Sequence, residues 1–429
     1  MRIKPGTVQT PDNPGKGRRG RASLRCRSRS GMIRQMQGVP RVLYSFPHAI
    51  DRPGIAHTAL QQVRGLAARG VEVTLFCTSV GSAVLPPSVE IHQTMVVGRR
   101  RVPHRAVGVQ RAYAWHDRWV SRWLSRNSDR VDVVHTWPRG CLATLSACWR
   151  LGVPGLRESP NPHTASVQRE SANAADDAGI ALPPGHSHAP DEVVLAREWS
   201  EYGAAWRILV PSEYAYGQFV EEGTDPVRLL RHRYGCDLDR FPARALPRPD
   251  SRPFTAVFLG RGDPTKGLHT ALSAWQKAAI DGGVITVAGS IQPDYRRSLA
   301  SRLDAPGVRS VGFVENPSAL LREADVLLLP TWTEGSALVV FEAQASGCVP
   351  LVSVASGAFG QPGLDYLQHD VGDVATLTAQ IIRLATSPEK LAALSARGTE
   401  RRPELSWDAA ATELAKCYAQ AVEEFREAR

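Results

Sequence analysis

Short apolar runs alternate with stretches of 3.6-residue apolar period, and the alternation occurs twice along the chain. "RVLYSF" (41–46) reads as a buried strand, followed by a loop with Pro53 and Gly54, a helical stretch through "HTALQQVRGLAARG" and a second strand, "VEVTLFC" (71–77). Strand, loop, helix and strand at this spacing form a βαβ unit. "VDVVHTW" (131–137), "GVPGLRE" (152–158) and "WRILVPS" (206–212) supply further short strands, each preceded by helix-like sequence. The first half therefore predicts a parallel, doubly wound sheet.

A proline-rich stretch, "FPARALPRPDSRPF" (241–254), interrupts the pattern and reads as a linker. The alternation then resumes with "TAVFLG" (255–260), a helix over about 266–279, "VITVAG" (284–289) and a helix around 293–304. "VRSVGFV" (308–314), "ADVLLLPT" (324–331), a helix over about 336–346 and "VPLVSV" (349–354) complete it. The run from "SPEKLAALSARG" through "WDAAATELAKCYAQAVEEF" is helical and predicts segments packed back along the body. The expected organisation is a basic extension over 1–40, a Rossmann-like domain over 41–241 and a linker over 242–254. A second Rossmann-like domain would span 255–400, and a C-terminal helix would occupy 401–429. Two such α/β domains would face a cleft at the carboxyl ends of their strands.

Composition narrows the classes. At 429 residues, 43% hydrophobic and 22% charged, the chain is globular, and no apolar run approaches a membrane span. The net charge of +10 is concentrated in residues 1–40, where ten Lys or Arg face only Asp12, so the remainder is nearly neutral. The charge thus argues for a disordered tail rather than a nucleic-acid-binding body. Met32 precedes the first strand and marks an alternative start. Seven scattered cysteines without a CxxC pair support neither a disulfide framework nor a zinc site. His186 and His188 in "PPGHSHAPDE" lack further ligands at metal spacing and read as loop residues. The expected location is the cytoplasm, at most against the inner face of the membrane. The contact would come from 111–126, where Trp115, Trp119 and Trp123 stand at i, i+4 and i+8 beside Arg111, Arg118, Arg122 and Arg126. Packing of the Trp stripe on the first sheet is the competing reading.

The chemistry concentrates in two segments. In "FLGRGDPTKGLHTAL" (258–272), Leu268 and His269 follow Gly267 where a P-loop needs Lys and Ser or Thr, so ATP hydrolysis is excluded. The RGD triplet is too short to carry weight. What remains is a strand end, two cations, Arg261 and Lys266, and a helix start, a combination suited to a diphosphate. In "PTWTEGSALVVFEAQASG", Glu334 precedes a helix and Glu342 sits within it between Phe341 and Ala343. A carboxylate in so apolar a setting either reaches solvent or accepts bonds from a ligand such as a ribose diol.

Together these segments resemble the retaining glycosyltransferases of family 4, of GT-B fold. The G-R-x4-K-G segment of that family reads Gly260-Arg261 to Lys266-Gly267 here, and its E-x7-E segment reads Glu334 to Glu342. "RILVPSEYAYGQF", "RYGCDLDRF" and "LSWDAAATEL" look like further landmarks, and the resemblance covers most of 41–420. It implies a hexose-like sugar moved from a UDP- or GDP-linked donor to a hydroxyl acceptor that is a glycan, a lipid-linked molecule or a small molecule. No metal, cofactor or nucleic-acid partner is implied. Arg261 and Lys266 would hold the donor diphosphate with Gly260 and Gly54, and Glu342 would bind the ribose. Glu334 would face the sugar, and the amides of Gly335, Ser336, Ala337 and Leu338 would cradle sugar or phosphate. His135, at a strand end, is either the catalytic His or a structural one; His163 in "SPNPHTAS" and Trp137 are the acceptor-side candidates. Departures from the family pattern occur at Pro53-Gly54, a glycine pair in the family, and at Ser336-Ala337. They motivate the alternative of a non-catalytic nucleotide-sugar-binding or partner-assisting protein.

Overall fold

The computed structural model describes residues 40–98, 100–102, 104–182, 185–245 and 252–429. All of the expected basic extension but Pro40 lies outside the described residues, as do 246–251 of the expected linker.

The first half contains strands β1 (Val42–Ala49), β2 (Val73–Ser79), β3 (Glu90–Gln93), β4 (Val96–Val97) and β5 (Arg100–Arg101). After these come β6 (Val133–Thr136), β7 (Gly155–Glu158), β8 (Arg207–Val210) and β9 (Leu229–Arg231). The second half holds β10 (Thr255–Leu259), β11 (Val284–Ala288), β12 (Val308–Gly312), β13 (Val326–Leu329), β14 (Val349–Ser353) and β15 (Leu367–His369). One sheet has the order β3-β2-β1-β6-β7-β8-β9, the other β12-β11-β10-β13-β14-β15, and every neighbouring pair in both is parallel. β4 and β5 form a small antiparallel hairpin. Strands β6, β7, β8, β13 and β14 are buried along their whole length. That is why they read as continuous apolar runs rather than alternating ones.

Strand order reverses between β1 and β6 in the first sheet and between β10 and β13 in the second. These switch points open crevices at strand carboxyl ends, where ligands of doubly wound sheets bind. The loop through Gly54 leaves β1 at the first crevice. The Gly260–Lys266 turn leaves β10, and Thr331–Glu334 leaves β13, at the second.

The C-terminal helix, Trp407–Glu427, belongs to the core of the first sheet. Its Leu414, Cys417, Tyr418 and Ala421 pack with Val42, Tyr44, Leu75 and Val133. The chain thus returns to its first domain after completing the second.

Candidate active site

Buried Asp263 builds the turn at the second switch point. Its Oδ1 accepts the Thr265 N–H (3.1 Å) and the Thr265 hydroxyl, and its Oδ2 accepts Arg261 Nε (2.7 Å). Burial raises the Asp263 pKa, but the Thr265 hydrogen bond and the charges of Lys266 and Arg261 outweigh it and hold the carboxyl below its ordinary value. Thr265 in turn fixes the second segment, since its carbonyl accepts the Thr331 hydroxyl (2.8 Å) and the Trp332 N–H (2.7 Å). Lys266 then forms an ion pair with Glu334. The first residue of the E-x7-E segment and the lysine of the G-R-x4-K-G segment are thus paired to each other. The Arg261 side chain, 58% exposed, extends beyond this frame.

Glu342 lies on the helix Leu338–Ser346 and faces a different opening. With Leu338 it lines a cavity of about 520 Å³ whose other walls include Asp51–Gly54, His57, Asp237, Arg240 and Trp407. Burial drives the Glu342 pKa up to about 7 against the opposing charge of Arg240. Its carboxyl has no hydrogen-bond partner among the described residues. A half-buried carboxyl left in this state facing a cavity invites a hydroxyl-bearing ligand.

Two helix N-termini border the same region. The helix Ile55–Ala68 begins at Gly54, whose φ of 76° suits glycine, and no side chain caps it. The helix Leu338–Ser346 begins at Ala337, also without a side-chain cap. Uncapped N–H groups carrying the positive ends of two helix dipoles are a ready anion site. The halves also touch directly. A Cβ on Gly335 would stand 1.8 Å from the Pro160 carbonyl oxygen, so only glycine permits this approach. Tyr214 and Trp332 meet through a 3.5 Å hydrogen bond.

A second cavity, of about 320 Å³, lies at the carboxyl ends of β6 and β7, lined among others by Arg139, Ser159, Asn161, Thr164, His188 and Glu198. The acceptor-side candidates lie behind it or in the core. His163 is fully buried as the N-cap of the helix Thr164–Asp177 and packs against Trp199, Tyr202 and Phe219. Burial lowers its pKa to about 4. Trp137 is fully buried and donates to the Tyr44 hydroxyl (2.8 Å). His135 is also fully buried: Nδ1 bonds the Tyr418 hydroxyl (2.7 Å), Nε2 stands 3.5 Å from Glu158, and the ring stacks on Tyr44. The structure thus brings Arg261, Lys266 and Glu334 together and sets Gly54 and Glu342 in the lining of one cavity, whereas His135, Trp137 and His163 are fully buried and line neither cavity. Of the two readings of His135, the geometry supports the structural one. Sequence reasoning passed over Asp263, which stood in the dismissed RGD triplet, and Arg240, the cation facing Glu342.

Two doubly wound parallel sheets with a site assembled from loops at both switch points define a GT-B glycosyltransferase. The comparisons identify the family. Residues 53–240 match the family model Glycosyltransferase Family 4, and residues 253–387 match Glycosyl transferases group 1. The chain belongs to glycosyltransferase family 4. It is 27% identical to D-inositol 3-phosphate glycosyltransferase 2 of Catenulispora acidiphila, over 89% of this chain and 93% of that one. D-inositol 3-phosphate glycosyltransferase of Mycobacterium leprae is likewise 27% identical, over 88% and 91%. Among solved structures, sucrose-phosphate synthase from Thermosynechococcus elongatus superposes with a TM-score of 0.65 at 18% identity, covering 89% of this chain and 98% of that one. Anabaena Alr3699/HepE in complex with UDP-glucose gives 0.60 at 13% identity, over 89% and 100%.

Proposed function

We propose that this glycosyltransferase takes a hexose-like sugar from a UDP- or GDP-linked donor and passes it, with retention, to a hydroxyl acceptor. The observation that carries the reading is the cavity that Glu342, a carboxyl without a hydrogen-bond partner among the described residues, lines together with two uncapped helix N-termini; the turn after β10 adds the cations Arg261 and Lys266, the latter paired with Glu334 four residues before the second of those helices. The donor diphosphate would lie between the helix starts, and the ribose diol would satisfy Glu342. Lys266 would exchange Glu334 for a phosphate oxygen, freeing Glu334 to accept hydroxyls of the sugar. The bond from the sugar's anomeric carbon to the phosphate oxygen breaks while the bond to the acceptor oxygen forms on the same face. The acceptor proton passes to the departing diphosphate, whose growing charge Arg261 and Lys266 offset. His135 has no part in this sequence of events.

A nucleotide-sugar screen by thermal shift, followed by transfer assays, tests the proposal. D-inositol 3-phosphate is the first acceptor to try, because the relatives' names carry it. One UDP- or GDP-sugar should raise the melting temperature by mass action, and Glu334→Ala should lose at least about 100-fold in turnover. Donor binding with no turnover under any acceptor would favour the non-catalytic alternative.

Peripheral contact with an anionic membrane through 111–126 is part of the proposal. In the helix Val109–Asn127 the buried positions are Ala112, Tyr113, His116, Asp117, Val120 and Leu124. Trp115 (52%) and Trp119 (46%) stay exposed with Arg111, Arg118, Arg122 and Arg126, whereas Trp123 packs against Phe76 and His92. Both readings of the Trp stripe therefore find support, at different residues. Among the described residues no helix is long and apolar enough to cross a membrane.

A further inference from the structure

The end of the helix Thr164–Asp177 and the residues just after it attach to the second domain. Asp177 Oδ2 stands 2.8 Å from Nε2 of His269, the second residue of the helix that follows the Gly260–Lys266 turn. Ala178 and Ile180 pack against the core of the second sheet, with Phe258, Leu268 and Leu272. Residues 177–180 therefore take their position from the donor side of the cleft.

His188 lines the 320 Å³ cavity. Most polar side chains there are already engaged. Glu198 accepts from Arg157 (2.8 Å), Arg139 (3.1 Å) and Thr164 (2.8 Å); Ser159 donates to the Asn161 carbonyl (3.0 Å), and Gln168 to the Asp191 carbonyl (3.2 Å). Only the backbone N–H of His188 is bonded, to His186 Nδ1 (3.3 Å), and its imidazole nitrogens have no hydrogen-bond partner among the described residues. Asn161 also has an uncommitted side chain, but His188 differs in what else it faces. Burial first, then His186, Lys266 and Arg261 against the opposing Asp263, lower its pKa to about 4. The ring is thus close enough to the diphosphate-binding cations to feel their charge, and at neutral pH it is an uncharged group with one N–H and one lone pair.

We propose that His188 is a substrate-contacting residue that hydrogen-bonds the incoming acceptor hydroxyl in the 320 Å³ cavity and orients it toward the donor sugar. The proposal rests on the donor reading above. Asp177, Ala178 and Ile180 hold the end of the preceding helix against the donor side, and His188 lines the cavity within reach of the charges of Lys266 and Arg261. Positioning of this kind acts on turnover more than on donor affinity, since misplacing a reacting group by about 1 Å costs on the order of 100-fold.

The test compares wild type, His188→Leu and His188→Asn by two readouts. One is calorimetric binding of UDP and GDP. The other is nucleotide release from the UDP- or GDP-sugar giving the largest thermal shift, with D-inositol 3-phosphate and with water as acceptors. His188→Leu should bind the nucleoside diphosphate within about threefold of wild type and lose about 100-fold in turnover. His188→Asn, which keeps a donor and an acceptor atom, should recover part of that loss. Turnover within about threefold of wild type in His188→Leu overturns the proposal, as does equal loss in both variants together with loss of nucleotide binding, which marks a merely structural residue. If wild type binds neither nucleotide, the donor reading itself falls and this one with it.

Discussion

At the scale of single residues, charge and desolvation decide what each group can do. Glu334 and Lys266 form an ion pair with one another. Glu342 has no such partner, and burial leaves its pKa near 7. A ribose diol donates to the ionised form and so favours it. The sign of the coupling follows: nucleotide binding lowers the Glu342 pKa and releases a proton, so affinity rises with pH up to about 7 and weakens below it. Calorimetry between pH 5.5 and 8 should show up to about tenfold weaker UDP or GDP binding per unit below pH 7. In Glu342→Gln binding should be weaker and the slope flat; an unchanged slope would remove the ribose assignment. Arg261, Lys266, Glu334 and Glu342 stand out as candidates in the sequence, because cations beside a helix start and a carboxylate inside an apolar helix are unusual without a ligand. The burial of His135 and Trp137 does not. A strand-end residue looks the same in sequence whether it opens to a cleft or, like His135, meets Tyr418 from a helix 283 residues away.

Secondary-structure elements were legible where an apolar run was long. β1, β2, β10 and β14 are found where the pattern put them, within a few residues. β9 and β15, at three residues each, are too short to have a period, and β3 is polar and mostly exposed at a sheet edge. The helix expected around 293–304 is broken into Pro293–Ser298 and Ala300–Leu303. Two predictions belong at this scale. Gly335→Ala would drive a methyl into the Pro160 carbonyl, whose backbone position cannot yield like a flexible side chain. Such overpacking costs about 1–3 kcal/mol, so activity should fall at least about tenfold with a modestly lower melting temperature; unchanged activity and melting would show that this approach is dispensable. The exposed Trp115 and Trp119 should anchor the protein to anionic lipid. Sedimentation with phosphatidylglycerol vesicles should exceed that with phosphatidylcholine, and Trp115→Ser/Trp119→Ser should lower it severalfold. Equal sedimentation with both lipids, or none with either, would count against that contact.

Across the whole molecule, the two parallel sheets followed from sequence because alternating βαβ units leave few topologies open. The return of the C-terminal helix into the first core was legible only as packing along the body. The partners of Tyr418 and Leu414 lie in strands and helices far earlier in the chain, and amphipathic period alone does not say which face receives a helix. What the molecule as a whole adds is convergence. Loops from both sheets, distant in sequence, bring two uncapped helix starts to one cavity, and the turn after β10 carries Arg261 and Lys266 to Glu334, just ahead of the second of those helices. That arrangement should recognise a diphosphate rather than a nucleoside. Isothermal titration of wild type and Arg261→Ala with UDP, GDP and the matching monophosphates measures this directly. The account predicts that one diphosphate binds at least about tenfold more tightly than its monophosphate, and that Arg261→Ala removes most of the difference without unfolding the protein. Equal affinity for mono- and diphosphate, or a difference that persists in Arg261→Ala, would contradict it.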